Sequence, residues 1–206
     1  MQRPTSWVLG VPDFTGFAQT EGDVAWYTDL PVQPDYLEHS WINTPCFDLS
    51  VLERPVIQMD IMKSFTPGKD GAVLQFMDWD RGAWTNLGSV GGGLNWFNDS
   101  TLIHRPGGSS TSWGSPDFMP DNEWVNARYS LGAFSGDKFL KFRIALASEG
   151  SQEITGGMHV DYRDGRKVFL QCLVDTQTVI AVAALSLLFL SEPLRKRLVV
   201  LFVSVT

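Results

Sequence analysis

Cysteine is scarce in this chain. Cys46 and Cys172 are the only two in 206 residues, too few for a disulfide framework. They fall in compositionally different segments and are read as unpaired thiols. Histidine is equally sparse: His39, His104 and His159 stand far apart, so no zinc-ligand spacing exists. The stretch GSVGGGLNWF has three adjacent glycines but no Lys-Ser/Thr after them, which excludes a phosphate-binding P-loop. Ser109, Ser110 and Ser112 lie near His104, but GSSTS is not a G-x-S-x-G elbow and has no strand–turn–helix around it, so no nucleophile constellation is read. The N-terminal MQRPTSWVLGVPDF contains no apolar h-region. The expectation is therefore no signal peptide in this stretch, and a chain that is an internal piece of a longer protein.

What is present points to an all-β module. Apolar residues make up 44% of the chain, enough for a real core. Eight tryptophans, 19 glycines and 11 prolines punctuate many short apolar runs. Net charge is −7 and uneven: up to Tyr162 there are 20 acidic against 10 basic residues, and beyond it 3 against 6. An acidic main domain repels phosphate backbones, which argues against nucleic acid as a partner.

Period-two alternation marks the strands. In RPVIQMDIMKS, Ile57, Met59 and Ile61 point one way and Val56, Gln58, Asp60 and Met62 the other. GAVLQFMDW and WTNLG form a hairpin around DRGA, with Gly82 at the position that needs φ > 0. WVNARYSL places Val125, Ala127, Tyr129 and Leu131 on one side. FLKFRIALA sets Leu140, Phe142, Ile144 and Leu146 against solvent-facing Lys141 and Arg143. GMHVDY follows as a further short strand, and residues 104–123 read as a long polar loop. Eight to ten strands and no helix over residues 5–162 predict a two-sheet antiparallel jelly-roll sandwich.

The last segment breaks this pattern. Residues 178–190 are almost continuously apolar, and extension back to Val168 gives a bilayer-length run that includes Gln171, Asp175 and Gln177. A mid-span Asp costs about 2.5–3.5 kcal/mol, while Arg195, Lys196 and Arg197 after the run fit a positive-inside flank. Three readings stay open for residues 166–206: a spanning helix carried by 168–197, a helix packed on the sandwich or a partner, and a non-native reading frame.

Three blocks carry a family resemblance: SWINTPCFDLSVLERPVIQMDI, GKDGAVLQFMDWDRGAWTNLGSVGGGLNWFN and WVNARYSLGAFSGDKFLKFRIALASEGSQEITGGMHVD. In this order they resemble MAM-type jelly-roll modules of secreted multi-domain surface proteins in Bacteroidetes-like bacteria. The resemblance spans residues 5–162 and sets the domain as 1–165. It implies a non-catalytic module for adhesion, protein or glycan binding, or spacing, placed outside the cell or on its surface. With the apolar tail it also suggests single-pass anchoring. In many jelly-roll modules a structural Ca²⁺ ties the last strand to the N-terminal one. The resemblance thus makes Asp161 the metal candidate, with Glu21 and Asp23 as partners for a cation that wants six to eight oxygens. Val160 stands where the family has a second acidic residue.

Among loop residues, Trp96, Phe97 and Trp113 are candidates for a stacking face that takes sugars or anchors a protein; the alternative is that a Trp-rich sandwich buries them as loop plugs. Asp78 and Asp80 flank Trp79 and face the same way in a regular strand. They are read as turn carboxylates, with acid/base hydrolysis of glycans as the enzymatic alternative. The expected function is a binding module for protein or glycan. The alternatives are a membrane-tethered structural ectodomain and a small glycan-active enzyme.

Overall fold

The computed structural model of the chain describes residues 5–10, 25–28, 37–115, 123–137, 139–149, 159–161 and 204–205. Ten strands run through them: β1 (Trp7–Gly10), β2 (Ala25–Thr28), β3 (Leu37–Phe47), β4 (Val56–Met62), β5 (Gly71–Asp78), β6 (Ala83–Asn86), β7 (Val125–Ser130), β8 (Leu140–Glu149), β9 (His159–Asp161) and β10 (Ser204–Val205). Two single 3-10 turns, Pro106–Gly108 and Gly132–Phe134, are the only helical pieces among the described residues. The chain is all-β.

The strands form two sheets. One has the order β1-β2-β9-β4-β10, with β7 also on β4; the other runs β3-β8-β5-β6. All described pairings are antiparallel. The tight hairpin is β5–β6, where Asp78 pairs with Ala83 and Gly82 takes φ +63° in the turn.

One core lies between the sheets. Ile57, Met59 and Ile61 of β4 and Ala127 of β7 meet Leu140, Phe142, Ile144 and Leu146 of β8 and Ala72 and Leu74 of β5. These are the apolar phases of the alternating strands, and burying each large side chain is worth about 1.5–3 kcal/mol. Glu38, although charged, is buried on this inner side and accepts bonds from the Ser6 amide (3.0 Å) and hydroxyl (2.9 Å). It ties the segment leading into β1 to the opposite sheet, and the two donors offset the cost of burying a carboxylate.

The end of the chain departs from expectation. The only part of 166–206 among the described residues is Ser204–Val205, and it is strand, paired to Gln58 and Ile57 of β4. No helix among the described residues reaches seven residues or is long and apolar enough to cross a membrane. The expected helical tail, the single-pass anchor and the surface localisation tied to it are therefore corrected. The rest of 166–206 lies outside the described residues, as does Cys172.

Candidate functional site

The outer face of the four-stranded sheet carries the candidate site. On β8 the residues opposite the core phase are Lys141, Arg143, Ala145 and Ala147. The register places Gln75 beside Arg143 on one flank and Asn43 on the other, and Asn86 beside Gln75. Trp41 and Trp84 occupy the same outer face, two residues along β3 and β6 from Asn43 and Asn86. The Arg143 guanidinium lies over both indoles, 5.1 Å from the Trp41 centroid and 4.7 Å from that of Trp84. Both contacts are within cation–π range.

Local structure fixes this arrangement. Pro45 has no amide hydrogen to give to the ladder, and the β3–β8 register shifts between Asn43 and Cys46. The Thr44 hydroxyl fills the gap by accepting the Phe142 amide at 3.0 Å. Pairing is thereby kept next to Arg143. Gln75 is buried and accepts Arg143 Nε–H at Oε1 (2.8 Å). Its Nε2 donates to Asn86 Oδ1 (2.9 Å) and to the Gly107 carbonyl (3.1 Å). One amide thus orients the arginine, the β6 edge and the Pro106–Gly108 turn together. Only a residue without Cβ fits above it: a Cβ on Gly107 would lie 2.6 Å from Gln75 Oε1, and φ there is +59°.

The turn forms a wall over the inner half of this face. Its root is held by Asp70, which is buried and whose Oδ1 sits 2.8 Å from His104 Nδ1 and accepts the Glu149 amide at 3.0 Å. Beyond the wall Trp41 remains about half exposed, at 52%. Partial burial lowers the Arg143 pKa from its ordinary value, and the group stays cationic.

The aromatic candidates from the sequence lie elsewhere. Trp96, Phe97 and Trp113 are all fully buried, with 0% exposure. Their rings pack edge-on or tilted at 4.7–5.4 Å, and the two indole N–H groups donate to the carbonyls of Leu87 (2.7 Å) and Asn95 (3.0 Å). Of the two readings open for them, a stacking face or burial as loop plugs, the structure has them buried in the core cluster. Position in Gly-rich and polar loops suggested exposure, but an indole's large apolar area favours burial once its N–H finds an acceptor.

Asp78 closes the β5–β6 turn by accepting the Arg81 amide (3.1 Å), with an Arg81–Asp78 ion pair at 3.4 Å. Asp78 and Asp80 line a second concavity of about 460 Å³ with Phe76, Trp79, Phe134 and Phe139. Trp79 Nε1 donates to the Phe139 carbonyl at 2.7 Å, and both rings are more than half exposed. Asp161 is in β9, opposite Asp60 of β4, whereas Glu21 and Asp23 lie outside the described residues. Among the described residues no group of three or more His, Cys, Asp or Glu side chains could hold a metal ion. No hydrogen bond among the described residues joins His104 to Ser109, Ser110 or Ser112.

No family model and no curated protein matches this chain.

Proposed function

We propose that this β-sandwich is a non-catalytic binding module of the adhesion type, and that it takes a glycan on the outer face of the β3-β8-β5-β6 sheet. The observation that carries this reading is the Trp41–Arg143–Trp84 stack on an open sheet face. Flat indoles present apolar faces to the C–H faces of sugar rings, and the neighbouring exposed amide of Asn43 suits a hydroxyl group. The side chains are preorganised by Gln75, so little ordering entropy is lost on binding. The resemblance of the three sequence blocks to MAM-type modules supports the same class of function.

A glycan array probed with the full chain tests it. Trp41→Ala and Trp84→Ala each reduce binding of the captured glycan at least tenfold, while Trp79→Ala leaves it unchanged. Unaltered binding in both platform variants, with their fold intact, overturns the assignment. A protein ligand is the second reading, favoured by the exposed Trp79 and Phe139 rings beside the groove. It requires Trp79→Ala to abolish capture of that partner.

A further inference from the structure

We propose that Arg143 is a specificity residue for a carboxylate, so that the glycan taken by this face is a uronate-bearing polysaccharide. The inference rests on the outer sheet face being the glycan site.

Arg143 has five N–H donors, and among the described residues only Nε–H is used, on Gln75. No described residue accepts a bond from Nη1 or Nη2. A guanidinium pinned between two indoles has lost part of its hydration, and burial already lowers its pKa. Its remaining N–H groups form a planar fork of the geometry that pairs with a carboxylate through two parallel bonds. The Gln75 bond holds one edge of that fork, and both indoles lie within cation–π range of it.

Local charge agrees, although the chain as a whole is acidic, at −7. The outward strand positions around Trp41 and Trp84 carry Lys141 and Arg143 and no carboxylate. The first acidic residue on this face of β8 is Glu149, about 20 Å along the strand, where Lys69 pairs with it at 3.0 Å. Arg105 heads the bordering turn in a left-handed backbone conformation, φ +47°, and is exposed. An anionic ligand therefore meets a basic strip on an otherwise repelling molecule, which favours this face over the rest of the surface.

A sugar carboxylate fits better than an acidic protein segment. The indoles flank the guanidinium on both sides, so the anion must arrive on a body that stacks to the left and right of it. Consecutive pyranose rings offer such flat faces. An Asp or Glu side chain brings its carboxylate on a flexible stem.

Titration calorimetry on the full chain tests the inference with oligomers of galacturonate, alginate and hyaluronan, each beside its carboxyl-reduced counterpart, with a neutral β-glucan oligomer as reference. At least one uronate oligomer binds tenfold or more tighter than its reduced form, and the difference shrinks with added salt. Arg143→Lys retains the charge but loses the fork, and removes that preference while leaving affinity for the reduced form within twofold. Equal binding of native and reduced oligomers overturns the carboxylate assignment and leaves the glycan platform standing. Binding of sulfated but not uronate oligomers overturns it too. Binding of none of these sugars, together with Arg143-dependent binding of polyglutamate, overturns both the uronate assignment and the glycan reading.

Discussion

Arg143 and Gln75, on neighbouring strands, share one hydrogen bond of 2.8 Å that decides where the guanidinium points. The same Gln75 amide also reaches the Gly107 carbonyl, so the arginine and the bordering turn are set by one buried side chain. Gln75→Leu leaves Gly107 O and Arg143 Nε–H without this partner. A loss of about 1–3 kcal/mol in folding free energy is expected for the broken buried bonds, measured by urea unfolding. Glycan binding should fall at least tenfold under conditions where the variant is fully folded, whereas Thr85→Ala on the opposite face of β6 leaves it unchanged. A variant with full affinity would show that Gln75 does not position the platform.

Gly107 and Gly108 make a matched pair. Both have positive φ, +59° and +88°, but only Gly107 lies against another side chain, since nothing is within 4 Å of a Cβ placed on Gly108. Gly108→Ala should cost about 1 kcal/mol from backbone conformation alone. Gly107→Ala adds the contact with Gln75 and should cost more and disturb binding, as read by thermal unfolding and calorimetry. Equal effects would mean that the turn moves freely off Gln75.

The buried aromatic plug behaves differently from the platform. Trp96→Ala removes a fully buried indole that packs on Phe97, Trp113 and Tyr129. The expected loss is about 3–5 kcal/mol, as for other large-to-small core changes. Trp41→Ala, on the open face, should stay within about 1 kcal/mol of the parent. Comparable destabilisation by the two changes would show that Trp41 is a core residue.

The Lys69–Glu149 pair gives a pH dependence. Hydrogen bonding to Lys69, then its charge, and to a lesser extent that of His104, hold the Glu149 pKa below the ordinary glutamate value. A carboxyl whose folded pKa is depressed contributes stability above its unfolded pKa and loses it as pH falls through the folded one. The pair is exposed, so its contribution is small and screened by salt. Lys69→Met should raise the Glu149 pKa in a carboxyl-detected NMR titration. An unchanged midpoint would assign the depression to another group.

Much of the fold was legible because burial follows the two-residue period. In β4 the phase of Ile57, Met59 and Ile61 is the buried one, and β8 alternates as its sequence suggests from Leu140 to Ile144. The Gly82 turn was legible too, since its backbone demands the residue. The platform was not. Arg143 was readable as outward-facing, but Trp41 and Trp84 join it only through the β3–β8 and β5–β6 pairings, and register between distant segments is not written in either strand alone. The sequence leaves the exposure of Trp96 and Trp113 open between a stacking face and burial as loop plugs, because loop composition says nothing about whether a loop folds inward; both are buried. The available signal was an outward Arg on the strongest strand of a tryptophan-rich module.

The most direct measurement is fluorine NMR of the chain labelled with 5-fluorotryptophan, its eight resonances assigned by single substitutions. On titration with the tightest glycan of the array, the Trp41 and Trp84 signals should move together with one affinity, while Trp96 and Trp113 stay fixed in the core. Saturable binding that moves Trp79 instead, or that leaves both Trp41 and Trp84 in place, would contradict a glycan site on the outer face of the four-stranded sheet.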